Sequence, residues 1–197
     1  MKKKAEITRR TSETDIVLKL YLHDVNESII NSGAPFFDHM LYSMSKHGKF
    51  FLDLDCSGDY EIDDHHSIED IGICLGMAFD EALGDRTGII RFGHAVVPMD
   101  EALVLAAVDI SGRSYFRYTG KKLTGYINRY NQELTLEFLR SFTMNAKMNV
   151  HINVLYGENS HHIHEAIFKS LGVALYRASN ADTILEGKIP STKGTIK

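Results

Sequence analysis

Cysteine is scarce in this chain of 197 residues: Cys56 and Cys74 lie 18 positions apart, with no CxxC and no second pair. That spacing leaves no thiolate metal motif, and both read as buried, reduced thiols of a cytoplasmic protein. Long apolar runs are missing too. None approaches the ~18 residues of a membrane span, so none is expected. Basic excess is absent: a net charge of −4 and a pI near 6.2 supply no stripe of cations for phosphates, which argues against nucleic acid as a partner. The opening MKKK is basic, but AEITRRTSETD follows without an apolar h-region, so a secretory signal is not expected. What is present is ordinary, with 44% hydrophobic and 24% charged residues, as in soluble globular proteins. The length suits one domain, or two small halves around a shared core.

One pattern stands out. DDHHSIEDIG at 63–72 is answered 96 positions later within NSHHIHEAIFKSLG at 159–172. Each copy has two adjacent histidines and then a glutamate three and four places on: His65, His66 and Glu69, then His161, His162 and Glu165. Apolar residues at helical spacing follow, as Ile68, Ile71, Leu75, Phe79 and Leu83, and as Ile167, Leu171, Ala174 and Ala178. Positions i, i+3 and i+4 share a helix face, so each turn presents two imidazoles and a carboxylate to one neighbourhood. A single HHxxE is more often a polar helix face, but chance has little reason to repeat it. Both copies also follow N-cap candidates (Asp64; Ser160 or Asn159), where the helix dipole disfavours protonated histidine. Unprotonated ligands around a divalent ion escape that conflict. Facing turns would gather six nitrogen and oxygen ligands without a thiol, which points to a dinuclear metal constellation.

The remaining chain repeats in the same order. Residues 4–11 and 15–23 alternate as strands around the turn Ser12-Glu13-Thr14, a helix is predicted over Phe36–His47, and a strand over 50–56 leads through Ser57-Gly58-Asp59 into the first motif helix, ending near Gly84. Strands are predicted at 91–99, 101–110 and 113–119, then a helix at 131–145, a strand at 149–156 and the second motif helix to about Asn180. The tail from Glu186 is polar and expected to be mobile by itself. Strands, helix, strand, helix, twice over, indicate an internally duplicated α+β domain with half-domains at 1–88 and 89–182 and a tail at 183–197. Each half would expose its helices alone, so the halves should pack through them with a sheet on each outer side. His39 precedes Leu52 by thirteen residues, and Glu137 precedes Val150 by thirteen, which makes them matched ligand candidates. Whether the two motif turns face each other in one chain or face neighbouring chains stays open at this point.

FFDHML (36–41), DDHHSIEDIG (63–72), LGDRTGIIRFG (83–93), PMDEAL (98–103), DISGR (109–113), GENSHHIHEAIFKSLG (157–172) and PSTKG (190–194) together resemble the imidazoleglycerol-phosphate dehydratase family of histidine biosynthesis, from about Ile7 to Lys193. The resemblance implies helices packed between two four-stranded mixed sheets, two Mn2+ per active site, and a symmetric homo-oligomer of 24 subunits with shared sites. It implies metal ligands at His39, His65, His66, Glu69, His161, His162 and Glu165. Glu137 stands where many members carry histidine and is expected to ligate in its place, while the extra His164 is read as structural or as support for the ligands. The reaction implied is dehydration of D-erythro-imidazole glycerol 3-phosphate to imidazole acetol phosphate, through a di-metal-bound imidazolate and a diazafulvene. Glu13, otherwise an exposed turn residue, becomes the acid/base group by resemblance. Arg91, Arg113, Lys169, Ser191, Thr192 and Lys193 match phosphate-binding positions, although Lys169 also has the spacing of a helix ion pair with Glu165. His47 lines the pocket or caps its helix, His151 is expected near the site without ligating, and His23 and His94 are expected to be structural. A metal-dependent phosphohydrolase and a metal store are the competing readings; a ferritin-like oxidase is disfavoured because its motif is ExxH on long helices without intervening strands.

Overall fold

A computed structural model describes residues 3–185 and 187–196; Met1 and Lys2 of the basic opening, and Glu186 and Lys197 of the expected mobile tail, lie outside the described residues. The first half runs β1 (Lys4–Arg10), β2 (Thr14–Leu22), β3 (Ile29–Asn31), α1 (Pro35–Gly48), β4 (Phe50–Gly58) and α2 (His65–Leu83). The second runs β5 (Phe92–Met99), β6 (Ala102–Asp109), β7 (Tyr115–Thr119), a small hairpin of β8 (Tyr126–Ile127) and β9 (Tyr130–Asn131), α3 (Leu134–Ala146), β10 (Asn149–Tyr156) and α4 (Ser160–Ser179). Alternation drives the strands. In β2, Ile16, Leu18, Leu20 and Leu22 are buried while the residues between them face outward.

The sheets have matching orders, β1-β2-β4-β3 and β5-β6-β10-β7, each with a parallel edge strand on antiparallel neighbours. They form the two mixed outer layers expected from the sequence, and the α+β class stands. Helix α2 covers β1 and β2, α4 covers β5 and β6, and the pairing of helices crosses the halves: α2 packs on α3, and α4 on α1. Two glycines 96 positions apart make that crossing possible. A Cβ on Gly76 would lie 2.5 Å from the Phe142 carbonyl, and one on Gly172 would lie 2.4 Å from that of Met44. Bare backbone lets each helix pair close to the same depth. Phe37, Phe138, Phe142 and Phe168 fill the layer between, with Phe37 and Phe138 rings 5.0 Å apart; each buried phenyl contributes about 1.5–3 kcal/mol.

The predicted elements need three corrections. Strand β3 spans three residues, too few to show alternation. The helix expected from 131 starts at Leu134, because Tyr126–Asn131 form the hairpin. The tail is held by contacts that its polarity does not reveal: Lys188 O accepts from Gly88 N–H at 2.8 Å, Pro190 O from Arg91 at 2.9 Å, and Ile196 O from the buried Arg86 at 3.4 Å. Among the described residues no helix is long and apolar enough to cross a membrane.

Candidate metal centre

At the start of α4, the Asn159 side chain accepts from the backbone N–H of His161 at 2.9 Å and of His162 at 3.4 Å, which settles the cap in favour of Asn159. Asp64 occupies the N-cap of α2 without a side-chain cap bond; Asp63 accepts from His65 N–H instead, at 2.7 Å. Both motifs therefore begin their helices, and their side chains leave from the first turns.

The second motif closes into a compact group with a residue of the first half. His39 Nε2 lies 3.0 Å and His161 Nε2 3.1 Å from the same oxygen, Glu165 Oε1. The three donor atoms lie within 4.8 Å of one another, a spacing that can hold a metal ion. The donors suit a divalent ion of hard or borderline character: two imidazoles, one carboxylate and no thiolate. Burial opposes ionisation of Glu165, yet hydrogen bonds from Lys169, His39 and His161 outweigh it and hold the carboxyl down at about 2. Lys169 grips the other carboxylate oxygen, so the structure makes the ion pair that its spacing allows. His47, farther along α1, is pushed down by burial and by the Lys169 and Lys46 ammonium groups.

The first motif is more open. His65 Nε2 is 3.8 Å from Glu69, while Glu137 turns to Arg140 at 2.6 Å. Among the described residues, His65, Glu69 and Glu137 form no compact group like that of His39, His161 and Glu165. The remaining motif histidines are held from behind. His66 Nδ1 meets Asp59 Oδ2 at 2.9 Å, and His162 Nδ1 meets Glu101 Oε2 at 2.6 Å. Their Nε2 atoms each face a carboxylate of a strand turn at 3.7 Å: Glu13 between β1 and β2, and Asp100 between β5 and β6. Hydrogen bonds donated to Asp59 and Glu101 raise both imidazole pKa values; His162 and the Asn159 N–H in turn hold Glu101 down at about 2. Asp59, Asp100 and Glu101 escaped the sequence reading. They stand within quoted motifs and turns, but Glu101 precedes its histidine by 61 positions and no spacing rule connects them.

The other candidates scatter. Arg91 gives a fork to Asp109 at 2.7 and 3.3 Å and its third group to Pro190 O. Its backbone N–H donates to Ala178 O near the far end of α4. That is thirteen residues beyond Glu165, or roughly 20 Å along the helix axis. Ser191 Oγ accepts from Lys193 N–H at 3.2 Å in the same corner, where Thr192 and Lys193 are exposed, and Arg113, four residues beyond the Asp109 that holds Arg91, is exposed as well. His164 is fully buried, donating through Nδ1 to Ser160 O at 2.7 Å. His151 lies on the outward face of its sheet, 5.5 Å from the Tyr115 ring, away from the helix layer and not beside the motif turns as expected. His23 bonds to Ser179 O at 3.2 Å, and the His94 carbonyl accepts from Arg177 at 2.6 Å, both structural roles.

The sequence profile of imidazoleglycerol-phosphate dehydratase matches residues 32–175 of this chain. The chain belongs to the imidazoleglycerol-phosphate dehydratase family. Dehydratases of that name from Leptospira biflexa and Bacillus licheniformis are 51% and 48% identical over 190 and 194 residues, covering 96% and 98% of this chain and 96% and 100% of their own length. The crystal structure of the Staphylococcus aureus imidazoleglycerol-phosphate dehydratase superposes with a TM-score of 0.82 at 34% identity, over 91% of this chain and 99% of that one. The Pyrococcus furiosus enzyme gives 0.81 at 34% identity, over 96% and 99%. As a member of the imidazoleglycerol-phosphate dehydratase family, the chain is a hydro-lyase of histidine biosynthesis acting on a phosphorylated imidazole.

Proposed function

We propose that this chain dehydrates D-erythro-imidazole glycerol 3-phosphate to imidazole acetol phosphate in the cytoplasm, with two Mn2+ per active site, in a homo-oligomer of 24 subunits that share their sites. The observation that carries the metal reading is the convergence of His39, His161 and Glu165 on one point. Its two imidazoles are 48% and 42% exposed, so the group opens outward and can be completed by another subunit. Shared sites also answer a problem of reach. Arg91 and the 191–193 turn lie at the opposite end of α4 from Glu165, too far for one small phosphorylated substrate to touch both within a chain. His65, His66, Glu69, His162 and Glu137 would then complete the ligand set across a subunit boundary, each half-domain (1–88 and 89–182) giving one turn and the tail (183–197) giving phosphate contacts.

When bound, the ions supply Lewis-acid stabilisation of negative charge on the substrate ring. The ring N–H proton and the adjacent hydroxyl depart together as water as the conjugated diazafulvene forms, and the neighbouring C–H becomes acidic. Glu13 takes that proton on its carboxylate, and the resulting enol becomes the ketone. Its place beside His66 supports this role, since a group there reaches whatever His66 Nε2 helps to hold. Arg113, Lys169, Ser191, Thr192, Lys193 and Arg91 supply cations and N–H donors for the phosphate, and His47 lines the substrate pocket.

The test is product analysis. Purified protein with Mn2+ should convert the substrate to a ketone that retains phosphate, lose activity on chelation, and shrink in light scattering as the metal is removed. Release of inorganic phosphate without a ketone would establish the phosphohydrolase reading instead. An oligomer unchanged after thorough chelation would overturn metal-dependent assembly.

A further inference from the structure

We propose that Glu101 and Asp59 are positioning residues that set the tautomers of His162 and His66, keeping the proton on Nδ1 and the Nε2 lone pair free for a divalent cation. The proposal rests on the metal reading above. Metal-bound imidazoles commonly donate their other N–H to a carboxylate, which orients the ring and raises its basicity. Both halves build that arrangement, but from different places. Asp59 comes from the turn just ahead of α2, seven residues before His66, whereas Glu101 reaches α4 from the turn between β5 and β6. A contact reached twice by separate routes in a duplicated fold is unlike an accident of one surface.

The two carboxylates differ in what else they hold. Glu101 Oε1 accepts from the backbone N–H of Asn159 at 2.7 Å and of Glu158 at 3.2 Å, while Oε2 accepts from His162 Nδ1–H at 2.6 Å. Every donor facing this side chain has a fixed polarity except the imidazole. A glutamine has one acceptor atom for these three donors. Its oxygen stays with the two backbone groups, its NH2 faces His162 Nδ1, and the imidazole answers by moving its proton to Nε2. The lone pair that would bind a cation is then lost. Alanine leaves Nδ1 to water and forces neither tautomer. Asp59 carries no second load of this kind. Its Oδ2 meets His66, and its buried Oδ1 has no hydrogen-bond partner, so an asparagine can turn its oxygen towards the ring.

The order of the variants separates orientation from mere support. Mn2+ is titrated into the full-length parent, Glu101→Gln, Glu101→Ala and Asp59→Asn proteins, with free Mn2+ read by electron paramagnetic resonance. Glu101→Gln should weaken the affinity by roughly 10–100-fold, Glu101→Ala by less, and Asp59→Asn least. Thermal unfolding without metal should leave Glu101→Gln close to the parent, because its backbone bonds survive. A purely structural role predicts the reverse order, with alanine worse than glutamine, and that order would overturn the proposal. So would parent-like binding by Glu101→Gln, or its unfolding well below the parent. A parent protein that binds no Mn2+ would sink the metal reading itself, an outcome distinct from failure of the variants alone.

Discussion

The halves of this molecule agree closely in backbone and differ in side-chain chemistry on their short helices, His39 in one standing where Glu137 stands in the other. Gly76 and Gly172 sit at equivalent points of α2 and α4 and let the partner helix approach to the same depth. The short helices also end alike, Lys49 and Lys147 both adopting the left-handed conformation at φ 50° and 51°. Yet the second motif closes onto His39, while the first leaves Glu137 bonded to Arg140. An imidazole can share Glu165 by donating to it. A second carboxylate beside Glu69 would repel it, so without a cation between them Glu137 takes the nearest guanidinium. Packing preserved the duplication, and one changed side chain decides which half closes by itself.

The largest expected effect concerns the strand turns. Glu13 and Asp100 stand equally far from their histidines, but Glu13 is the group assigned to move the proton. Glu13→Gln should lower turnover by roughly 10²–10⁴-fold while Mn2+ binding and thermal unfolding stay at the parent level. Turnover within a factor of a few of the parent would remove Glu13 from that role, and an equal loss from Asp100→Asn would make the turns interchangeable.

Next comes Glu165, the one carboxylate of the closed group. Its folded pKa of about 2 lies below the model-peptide value of 4.5, so folding favours the ionised form. That contribution to stability is complete above about 4.5 and disappears as pH falls towards 2. Glu165→Gln should therefore flatten the acid limb of the unfolding curve between those values. It should also weaken Mn2+ binding by at least the roughly 10–100-fold seen when mere supporting groups are removed. An acid limb identical to the parent would show that the hydrogen bonds of Lys169, His39 and His161 do not favour the carboxylate.

Much of this was readable from the chain because the informative signals are local. HHxxE lies within one helical turn, the apolar residues repeat at helical spacing, and strands such as β2 alternate cleanly, so the duplication, the layers and the candidate ligands follow from short windows. What escaped depends on contacts between distant segments. Glu101 meets His162 across 61 positions, Arg91 spends its donors on Asp109 and the tail, and β3 and the Tyr126–Asn131 hairpin are too short to carry a period. The partner of His39 escaped for the same reason. Its spacing matched Glu137, but only the glycine-lined crossing of α1 and α4 brings it to Glu165 in the other half.

The matched glycines allow the symmetry of the backbone to be tested directly. Gly76→Ala and Gly172→Ala each push a methyl group into a backbone carbonyl, with costs of about 1–3 kcal/mol. For a chain of this size that is roughly 2–4 °C of unfolding temperature per kcal/mol. Similar decreases are expected for both. A large drop for one beside no change for the other would show that the crossings differ in depth despite their matched spacing.

The smallest change should come from making the halves chemically alike. Glu137→His gives the first half the donor set of the second and removes the exposed pair with Arg140, which is worth only a few tenths of a kcal/mol. If Glu137 ligates in place of a histidine, Mn2+ binding should stay within a factor of a few, since one oxygen donor is replaced by one nitrogen donor suited to the same ion. Glu137→Ala offers no donor, so it should lose roughly tenfold or more at that position. The contrast between these variants carries the inference. An alanine variant that binds two equivalents of Mn2+ as tightly as the parent would take position 137 out of the metal centre and leave its ion pair with Arg140 as its whole role.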